Sequence, residues 1–284
     1  MRETIRATTL SEALAAKREH PAALPIAGGT DVMVELNFRT RRPEQLLDLN
    51  PVAELRGFSV ADGILRLGAG VTHTQIVHEL AELAPALAQA ARTVGSPQIR
   101  NRGTVGGNLA TASPAGDLLP PLIACEATVE LATASGRRRL PVAEFCTGPK
   151  RSVLAPDELI VSLELPLAAG PQEFSKVGTR NAMVIAVCSL CVALDPRART
   201  VAAAIGSAAP TVRRAPEAEE FAAAELDWGG ASPLDTRVAA RFGELVAAAA
   251  SPIDDVRGTA AYRRHALAVL AARSLAWTWS ARCA

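Results

Sequence analysis

The chain has 284 residues, 49% of them hydrophobic, which is enough to bury the core of one large domain or two smaller ones. Its 30 basic and 29 acidic side chains leave a formal charge of +1, so no strong field attracts nucleic acid or an anionic membrane surface. No apolar run approaches the ~20 residues that span a bilayer, and the first residues lack the apolar stretch of a signal peptide. We therefore expect a cytoplasmic protein without a nucleic-acid partner or a membrane span.

The N-terminal region predicts alternating helices and strands. Residues 9–20 combine a capping residue, helix formers and apolar positions at helical spacing, which predicts a first helix. A short apolar run at residues 24–27 is followed by the turn Gly28-Gly29-Thr30-Asp31, and a helix-like stretch follows over residues 32–36. Strands are also predicted for two apolar runs bounded by Asn, Pro and Gly, at residues 45–50 and 63–69.

The middle of the chain contains its most unusual segment. Residues 73–92 are rich in Ala and Leu with helical periodicity, and Gly95-Ser96-Pro97 should end that helix. Residues 98–117 then hold few bulky side chains and many Gly, Ser, Thr and Asn residues, which is not typical of a packed element. The runs at 129–133, 138–141 and 159–165 predict an antiparallel sheet.

A domain boundary is predicted near residue 170. Apolar periodicity stops in residues 167–171, and a new strand-like run begins near Phe174. Residues 185–194 and 201–205 read as paired strands, and the remainder is mostly helical.

Two glycine-rich segments are candidate phosphate-binding sites. In the first, Gly28 to Asp31, two residues without side chains let a ligand approach the backbone, and amides are presented where a helix begins. The second, Thr104-Val105-Gly106-Gly107-Asn108 with Thr111, Ser113 and Asp117 after it, concentrates amides and hydroxyls, and its carboxylate can accept from ribose or ribityl hydroxyls. Each segment alone is also compatible with a purely structural turn.

Common nucleotide and hydrolase motifs are absent from the sequence. The run Gly68-Ala-Gly-Val-Thr-His73 fails G-x-G-x-x-G at its last position, and no G-x-x-x-x-G-K-[ST] occurs. A Rossmann or P-loop domain is therefore disfavoured. Neither G-x-S-x-G nor H-E-x-x-H is present, so hydrolase and metalloenzyme functions lose support.

The cysteines and histidines predict no metal centre. The five cysteines are scattered and odd in number, so free thiols are expected. They are Cys125, Cys146, Cys188, Cys191 and Cys283. Cys188 and Cys191 lie in an apolar strand-like run, where residues three apart point to opposite faces, so we interpret both as structural. The four histidines are not spaced as a ligand cluster.

Three segments together resemble the FAD-binding subunit of the xanthine dehydrogenase and carbon monoxide dehydrogenase family. They are Pro-Ile-Ala-Gly-Gly-Thr-Asp-Val at residues 25–32, the glycine-rich segment at 99–118 and Ser-Leu-Glu-Leu-Pro at 162–166. The second segment is highly specific. Residues 255–265, Asp-Val-Arg-Gly-Thr-Ala-Ala-Tyr-Arg-Arg-His, resemble the family's C-terminal helical motif, so the resemblance covers essentially the whole chain.

The resemblance implies an α+β fold in two domains. Residues 1–168 would form a two-lobed FAD-binding domain of the vanillyl-alcohol-oxidase (PCMH) type, divided near residue 58, and residues 172–284 a smaller α+β C-terminal domain of the CO dehydrogenase flavoprotein type. FAD would be noncovalent, since neither glycine segment contains a histidine or cysteine for attachment. The implied cofactor-binding residues are Pro25, Ile26, Ala27, Gly28, Gly29, Thr30, Asp31, Val32, Thr104, Gly106, Gly107, Asn108, Thr111, Ser113, Asp117, Ile160, Lys176 and Ile185.

The implied roles follow the position of each group. Residues 25–32 would wrap the diphosphate and flank the flavin, and the second segment would complete the phosphate and ribityl contacts. Ile160 would pack on the cofactor, Lys176 would supply a charge, and Ile185 would lie by the flavin ring. Where some relatives have an aromatic residue stacked on the adenine, this chain has Val94. The FAD domain has no cysteine-rich insertion for an additional iron-sulfur cluster.

The implied function is electron relay. Substrate would be hydroxylated at molybdopterin in a large partner subunit, and electrons would cross [2Fe-2S] clusters of a small partner subunit and leave through this FAD to NAD or another acceptor. No side chain of this chain is then a proton-transfer catalyst. Two alternatives stay open at this point: a self-sufficient flavin oxidoreductase of the same superfamily, and a scaffold subunit that has lost FAD.

Overall fold

The computed structural model describes residues 3–230 and 232–282. Within these ranges the chain is a mixed α+β fold, as expected. No helix in the described residues is long and apolar enough to cross a membrane.

The first lobe is a three-stranded parallel sheet with two helices. Its elements are β1 (Glu3–Arg6), α1 (Leu10–Glu19), β2 (Leu24–Ile26), α2 (Val32–Asn37) and β3 (Gln45–Asp48), and the strand order is β1-β3-β2. The α1 helix begins where the Thr9 hydroxyl accepts a hydrogen bond from the Glu12 amide. Because β2 and β3 are parallel neighbours, the crossover through α2 places the first glycine segment at the carboxyl end of β2.

A 3₁₀ turn, Ala53–Leu55, leads into a second lobe built on a five-stranded antiparallel sheet of order β4-β5-β10-β6-β7. Its strands and a small hairpin are β4 (Phe58–Ala61), β5 (Ile64–Gly68), β6 (Thr128–Ala132), β7 (Arg137–Pro141), β8 (Cys146–Gly148), β9 (Arg151–Ser152) and β10 (Leu159–Pro166). Its helices are α3 (His73–Glu79), α4 (Pro85–Thr93), α5 (Pro97–Arg102), α6 (Val105–Ala110), α7 (Leu119–Ala124) and α8 (Val142–Phe145).

Two details of this lobe differ from the sequence prediction. The single helix predicted at residues 73–92 is wrong, because the chain turns after Leu80 and restarts as α4 with Pro85 in its first turn, a position where a missing amide costs nothing. The glycine-rich segment forms two short helices, α5 and α6, which begin at the capping hydroxyls of Ser96 and Thr104.

The C-terminal part is an antiparallel sheet with helices on one face. It comprises β11 (Gln172–Val177), β12 (Cys188–Asp195), β13 (Thr200–Gly206), β14 (Arg213–Arg214), α9 (Pro216–Glu225), α10 (Thr236–Ala249) and α11 (Ala260–Ala281). Strand β12 starts at Cys188 rather than at residue 185, although the Val187 amide still bonds to the carbonyl of Val177.

The sheet of the C-terminal part contributes to two apolar cores. Phe174, Cys191 and Ala204 pack with the core of the second lobe, whereas Cys188 and Leu190 pack with α9, α10 and α11. The prediction that Cys188 and Cys191 point to opposite faces is therefore confirmed. The four cysteines in the described residues are free thiols, and Cys283 lies outside those residues.

Candidate functional site

The two glycine segments lie against each other despite their distance in sequence. A Cβ atom added to Gly28 would fall 2.0 Å from the carbonyl oxygen of Arg102 and 3.0 Å from the Cα atom of Gly103. Only a residue without a side chain lets the first segment pack this closely on the backbone that precedes Thr104. The structure thus brings together the two segments that the sequence identified separately.

The first segment presents free amide groups. Strand β2 ends at Ile26, α2 begins at Val32, and the turn between them requires a left-handed backbone at Gly29, whose φ is +76°. Among the described residues, the amides of residues 28–32 make no hydrogen bond to another backbone group. Consecutive free amides at a turn form an anion-binding concavity.

The second segment differs from the sequence expectation, because its amides are used within the protein. The amides of Val105 and Gly106 donate to the carbonyls of Val71 and Ala69, each at 2.9 Å. The amide of Gly107 donates to the Thr104 hydroxyl at 3.1 Å. The reason is that α6 starts beside the segment that follows β5. The backbone carbonyls of that segment accept hydrogen bonds from the first amides of the helix.

The two adjacent glycines of α6 have different surroundings. A Cβ atom on Gly106 would lie 2.6 Å from the Cβ atom of Ala69. A Cβ atom on Gly107 would have one described atom within 4 Å, the Thr104 hydroxyl oxygen at 3.0 Å. Gly106 is therefore required for packing inside the protein, whereas Gly107 leaves room for something outside it.

A cleft of about 720 Å³, including its opening to solvent, runs between the two lobes beside both segments. Six predicted site residues line it: Pro25, Ala27, Thr104, Gly106, Gly107 and Ile160. The other lining residues were not predicted from the sequence, and they are Leu49, Asn50, Val52, Leu55, Arg56, Ala69, Gly70, Ala110, Leu154 and Leu159. Their only sequence signal was the Gly68-Ala69-Gly70 run, where Gly68 and Gly70 pack against the backbone of Leu55. The cleft is mostly apolar, as are sites that receive planar rings.

His73 packs against Gly103, the residue just before the second segment. Its amide donates to the Gly103 carbonyl at 3.0 Å, and its ring fills the space where a Gly103 side chain would be. Burial, aided by the nearby Arg100 charge, lowers the pKa of His73 to about 4, so the imidazole is neutral at pH 7.

A buried ion pair joins the second lobe to the C-terminal part. The Lys176 ammonium lies 2.6 Å from Oδ2 of Asp117, and their side chains are only 7% and 9% exposed. The Thr93 hydroxyl donates to the same carboxylate oxygen at 3.2 Å. Burial raises the pKa of Asp117, while Lys176 opposes that shift.

Two buried acceptors in and just after the second segment have no hydrogen-bond partner among the described residues. They are Oδ1 of Asp117 and Oδ1 of Asn108. Since buried polar atoms are rarely left unsatisfied, these oxygens are suited to a ligand that donates hydroxyl hydrogen bonds.

The remaining predicted residues are spread around this centre. The Thr111 hydroxyl donates to the Gly107 carbonyl at 2.9 Å, while Ser113 accepts a hydrogen bond from the Ala115 amide. Ile26 ends β2, and Thr30 and Val32 flank Asp31.

Ile185 is 53% exposed in the segment between β11 and β12 and does not line the cleft. Val94 caps the end of α4.

These features fit the groups of FAD. Free amides at residues 28–32 suit a diphosphate, the apolar cleft suits a planar ring, and the unsatisfied oxygens of Asn108 and Asp117 suit sugar or ribityl hydroxyls.

Comparison with known proteins places the whole chain beside flavoprotein subunits. Residues 1–168 match the family model described as the FAD binding domain in molybdopterin dehydrogenase, and residues 173–278 match the CO dehydrogenase flavoprotein C-terminal domain.

Individual relatives are similar to this chain in sequence along nearly its full length. The chain is 33% identical over 273 residues to the xanthine dehydrogenase FAD-binding subunit of Escherichia coli O157:H7, covering 92% of this chain and 90% of the relative. It is 32% identical over 257 residues to the nicotine 6-hydroxylase medium subunit of Paenarthrobacter nicotinovorans, covering 88% and 87%.

Solved structures agree as well. A chain of quinoline 2-oxidoreductase from Pseudomonas putida 86 matches with a TM-score of 0.90 at 27% identity, covering 98% of this chain and 97% of that one. A chain of the carbon monoxide dehydrogenase from Hydrogenophaga pseudoflava matches with a TM-score of 0.88 at 27% identity, covering 98% of each.

Proposed function

The chain belongs to the family of FAD-binding subunits of molybdopterin dehydrogenases, and from that premise we propose that it relays electrons rather than oxidising an organic substrate itself. FAD is its cofactor, and it is an oxidoreductase component with the two-lobed FAD-binding fold followed by a smaller α+β domain. The division of the chain near residue 170, between β10 and β11, is part of the proposal.

The observation that carries the proposal is the meeting of both glycine segments at one apolar cleft. Residues 28–32 would donate amides to the diphosphate, and Gly107 would leave space for the cofactor. Asn108 and Asp117 would accept hydrogen bonds from its hydroxyls, and Ile160 would pack on a ring. Thr111 would complete the phosphate and ribityl contacts, and Ile185 would lie by the flavin.

When bound, FAD supplies the step between two-electron and one-electron carriers. This chain's residues bind and orient the cofactor, and none of them is assigned a proton-transfer role. The proposed partners are a molybdopterin-binding large subunit and a small subunit with [2Fe-2S] clusters. NAD is one candidate acceptor, and a cytoplasmic location stays a prediction.

The relay proposal is tested by flavin reduction in the isolated subunit. Under anaerobic conditions, we expect reduced nicotinamide or an artificial donor to bleach the flavin absorbance. Purines or aldehydes should do so only after molybdenum and iron-sulfur subunits are added. Bleaching by an organic substrate without partners would overturn the relay and favour a self-sufficient flavin oxidoreductase.

The mode of FAD attachment has a separate test. We expect acid or heat to release all of the flavin, because residues 27–32 and 104–108 contain no histidine or cysteine. Flavin that stays with the denatured polypeptide would contradict noncovalent binding.

A further inference from the structure

Residues 178–187 connect β11 to β12 and carry Ile185, the side chain that the proposed function puts beside the flavin. Where this connection begins, the Lys176 ammonium lies 2.6 Å from the carboxylate of Asp117. Asp117 belongs to the stretch that follows the second glycine segment. The beginning of the connection is therefore held against the second lobe by a buried ion pair.

The end of the connection is held against the same stretch by Ser207, which directly follows β13. The Ser207 hydroxyl donates to the carbonyl of Ala186 at 2.7 Å, and the Ser207 amide donates to the carbonyl of Pro114 at 2.8 Å. Pro114 precedes Asp117 by three residues. Ala186 is fully buried, although Ile185 beside it is half exposed. The backbone next to Ile185 is therefore fixed on its C-terminal side.

Arg263 of α11 completes this junction. Its side chain is buried, and its Nη1 atom donates to the carbonyls of Val187 and Ser207 at 2.7 and 2.6 Å. Its Nη2 atom lies 2.5 Å from Oδ1 of Asp255, which balances the buried charge. Because the guanidinium is planar and rigid, it fixes the distance between the two carbonyls that it bridges.

The backbone of Ser207 shows that this junction is tightly constrained. Its φ is +59°, in the left-handed region that glycine adopts most easily. Such a conformation persists in a residue with a side chain only where the surroundings over-determine it. Hydrogen bonds from its amide, to its carbonyl and from its hydroxyl do so here, and glycine could not supply the last of them.

We propose that Ser207 and Arg263 are positioning residues that hold Ile185 against the flavin ring and thereby set how readily bound FAD is reduced. The inference rests on the proposed function. Both residues act through the backbone of Ala186 and Val187. An apolar wall disfavours the negative charge that reduction adds to flavin in mildly alkaline buffer, so loosening that wall should favour reduction.

The test equilibrates the full-length, FAD-loaded chain anaerobically with a redox dye of known potential in mildly alkaline buffer. We expect Ser207→Ala to retain FAD and to raise the equilibrium constant for flavin reduction several-fold. Alanine keeps both backbone hydrogen bonds and loses only the hydroxyl bond to Ala186. Arg263→Lys should shift the equilibrium in the same direction, because lysine has one nitrogen where the guanidinium uses two.

Ser274→Ala is the matched control. It removes another buried serine hydroxyl of the C-terminal part, which lies 2.9 Å from the hydroxyl of Ser175. Its unfolding midpoint should fall about as much as that of Ser207→Ala, while its flavin equilibrium should equal that of the parent. A purely structural role for Ser207 would change the unfolding midpoint alone.

Three results would count against the inference. An unchanged equilibrium constant in Ser207→Ala would overturn it, whether or not Arg263→Lys folds. The same shift in Ser274→Ala would overturn it as well, because the effect would then follow from lost stability. A parent chain that holds no FAD would contradict the proposed function itself, and the positioning roles would fall with it.

Discussion

The first and second glycine segments look alike in sequence but differ in what they offer a ligand. Residues 28–32 keep their amides free, whereas the amides of residues 105–107 are already bonded to Val71, Ala69 and Thr104. The first segment can therefore supply charge-assisted donors to a diphosphate. The second segment supplies shape, because its backbone is hydrogen-bonded within the protein and little lies beside the Cα atom of Gly107.

This difference teaches that a glycine-rich motif has several physical uses. Gly28 permits backbone contact between the segments, Gly106 permits packing on Ala69, and a Cβ atom on Gly107 would meet only the Thr104 hydroxyl. The same residue type thus serves assembly of the site at two positions and binding at the third. Substitutions can separate these uses.

Gly28→Val should have the largest effect. The added side chain would collide with the carbonyl of Arg102, a backbone atom that cannot move away cheaply. We expect a loss of about 3 kcal/mol of unfolding free energy and no retained FAD. Urea unfolding and the flavin-to-protein ratio measure both. Gly136→Val, where a Cβ atom meets nothing within 4 Å, is the control, and equal behaviour of the two variants would argue against the contact between segments.

Gly107→Val should separate binding from folding. A Cβ atom there meets only the Thr104 hydroxyl, at 3.0 Å, which must shift by a few tenths of an ångström, so the unfolding midpoint of the FAD-free protein should fall only slightly. FAD retention should be lost, because the side chain would occupy the cofactor's space. The matched variant is Gly106→Val, which should lower the unfolding midpoint of the FAD-free protein through its clash with Ala69. Full flavin occupancy in Gly107→Val would remove the second segment from the site.

Asp117→Ala should weaken FAD binding more mildly, by about tenfold, the effect of losing one hydrogen bond to a charged group. The change also leaves the buried Lys176 ammonium without its partner, so the unfolding midpoint should fall. Adding Lys176→Met should restore part of the midpoint but none of the affinity. An affinity unchanged in Asp117→Ala would place the cofactor hydroxyls elsewhere.

The smallest expected effect is a pH dependence of stability caused by His73, which packs against Gly103 just before the second segment. The pKa of His73 is about 4 in the folded protein against an ordinary value of 6.5. Between these values the unfolded chain binds a proton that the folded protein does not, so stability is lost as pH falls below 6.5. The loss is up to about 1.4 kcal/mol per pH unit.

His73→Gln removes this titration. Urea unfolding of the FAD-free protein at several pH values should therefore give a flatter dependence between pH 6.5 and 4 for the variant. Identical slopes would show that other groups cause the acid sensitivity.

Much of the fold could be predicted from the chain because local patterns decide it. The Thr9 cap, the turn at Gly28 to Asp31 and the alternation of Cys188 and Cys191 all appear where the sequence indicates. The break after Leu80 was missed because the apolar spacing continues through it, although Pro85 was a local signal.

The site was less accessible to sequence reasoning. Both glycine segments were found, but which amides stay free depends on the carbonyls of Val71 and Ala69, which only tertiary structure brings beside α6. Leu49, Leu55 and Leu154 line the cleft without any pattern that separates them from ordinary core residues. Asp117 was found as the carboxylate that follows the second segment, while its pairing with Lys176 follows from packing between distant parts of the chain.

Amide hydrogen exchange with and without FAD tests the contrast between the two segments most directly. In the FAD-free protein, the amides of residues 28–32 should exchange fast and those of residues 105–107 slowly, since only the latter are hydrogen-bonded. On addition of FAD, residues 28–32 should become protected while residues 105–107 change little. Protection that appears at residues 105–107 and leaves residues 28–32 exchanging fast would contradict the account.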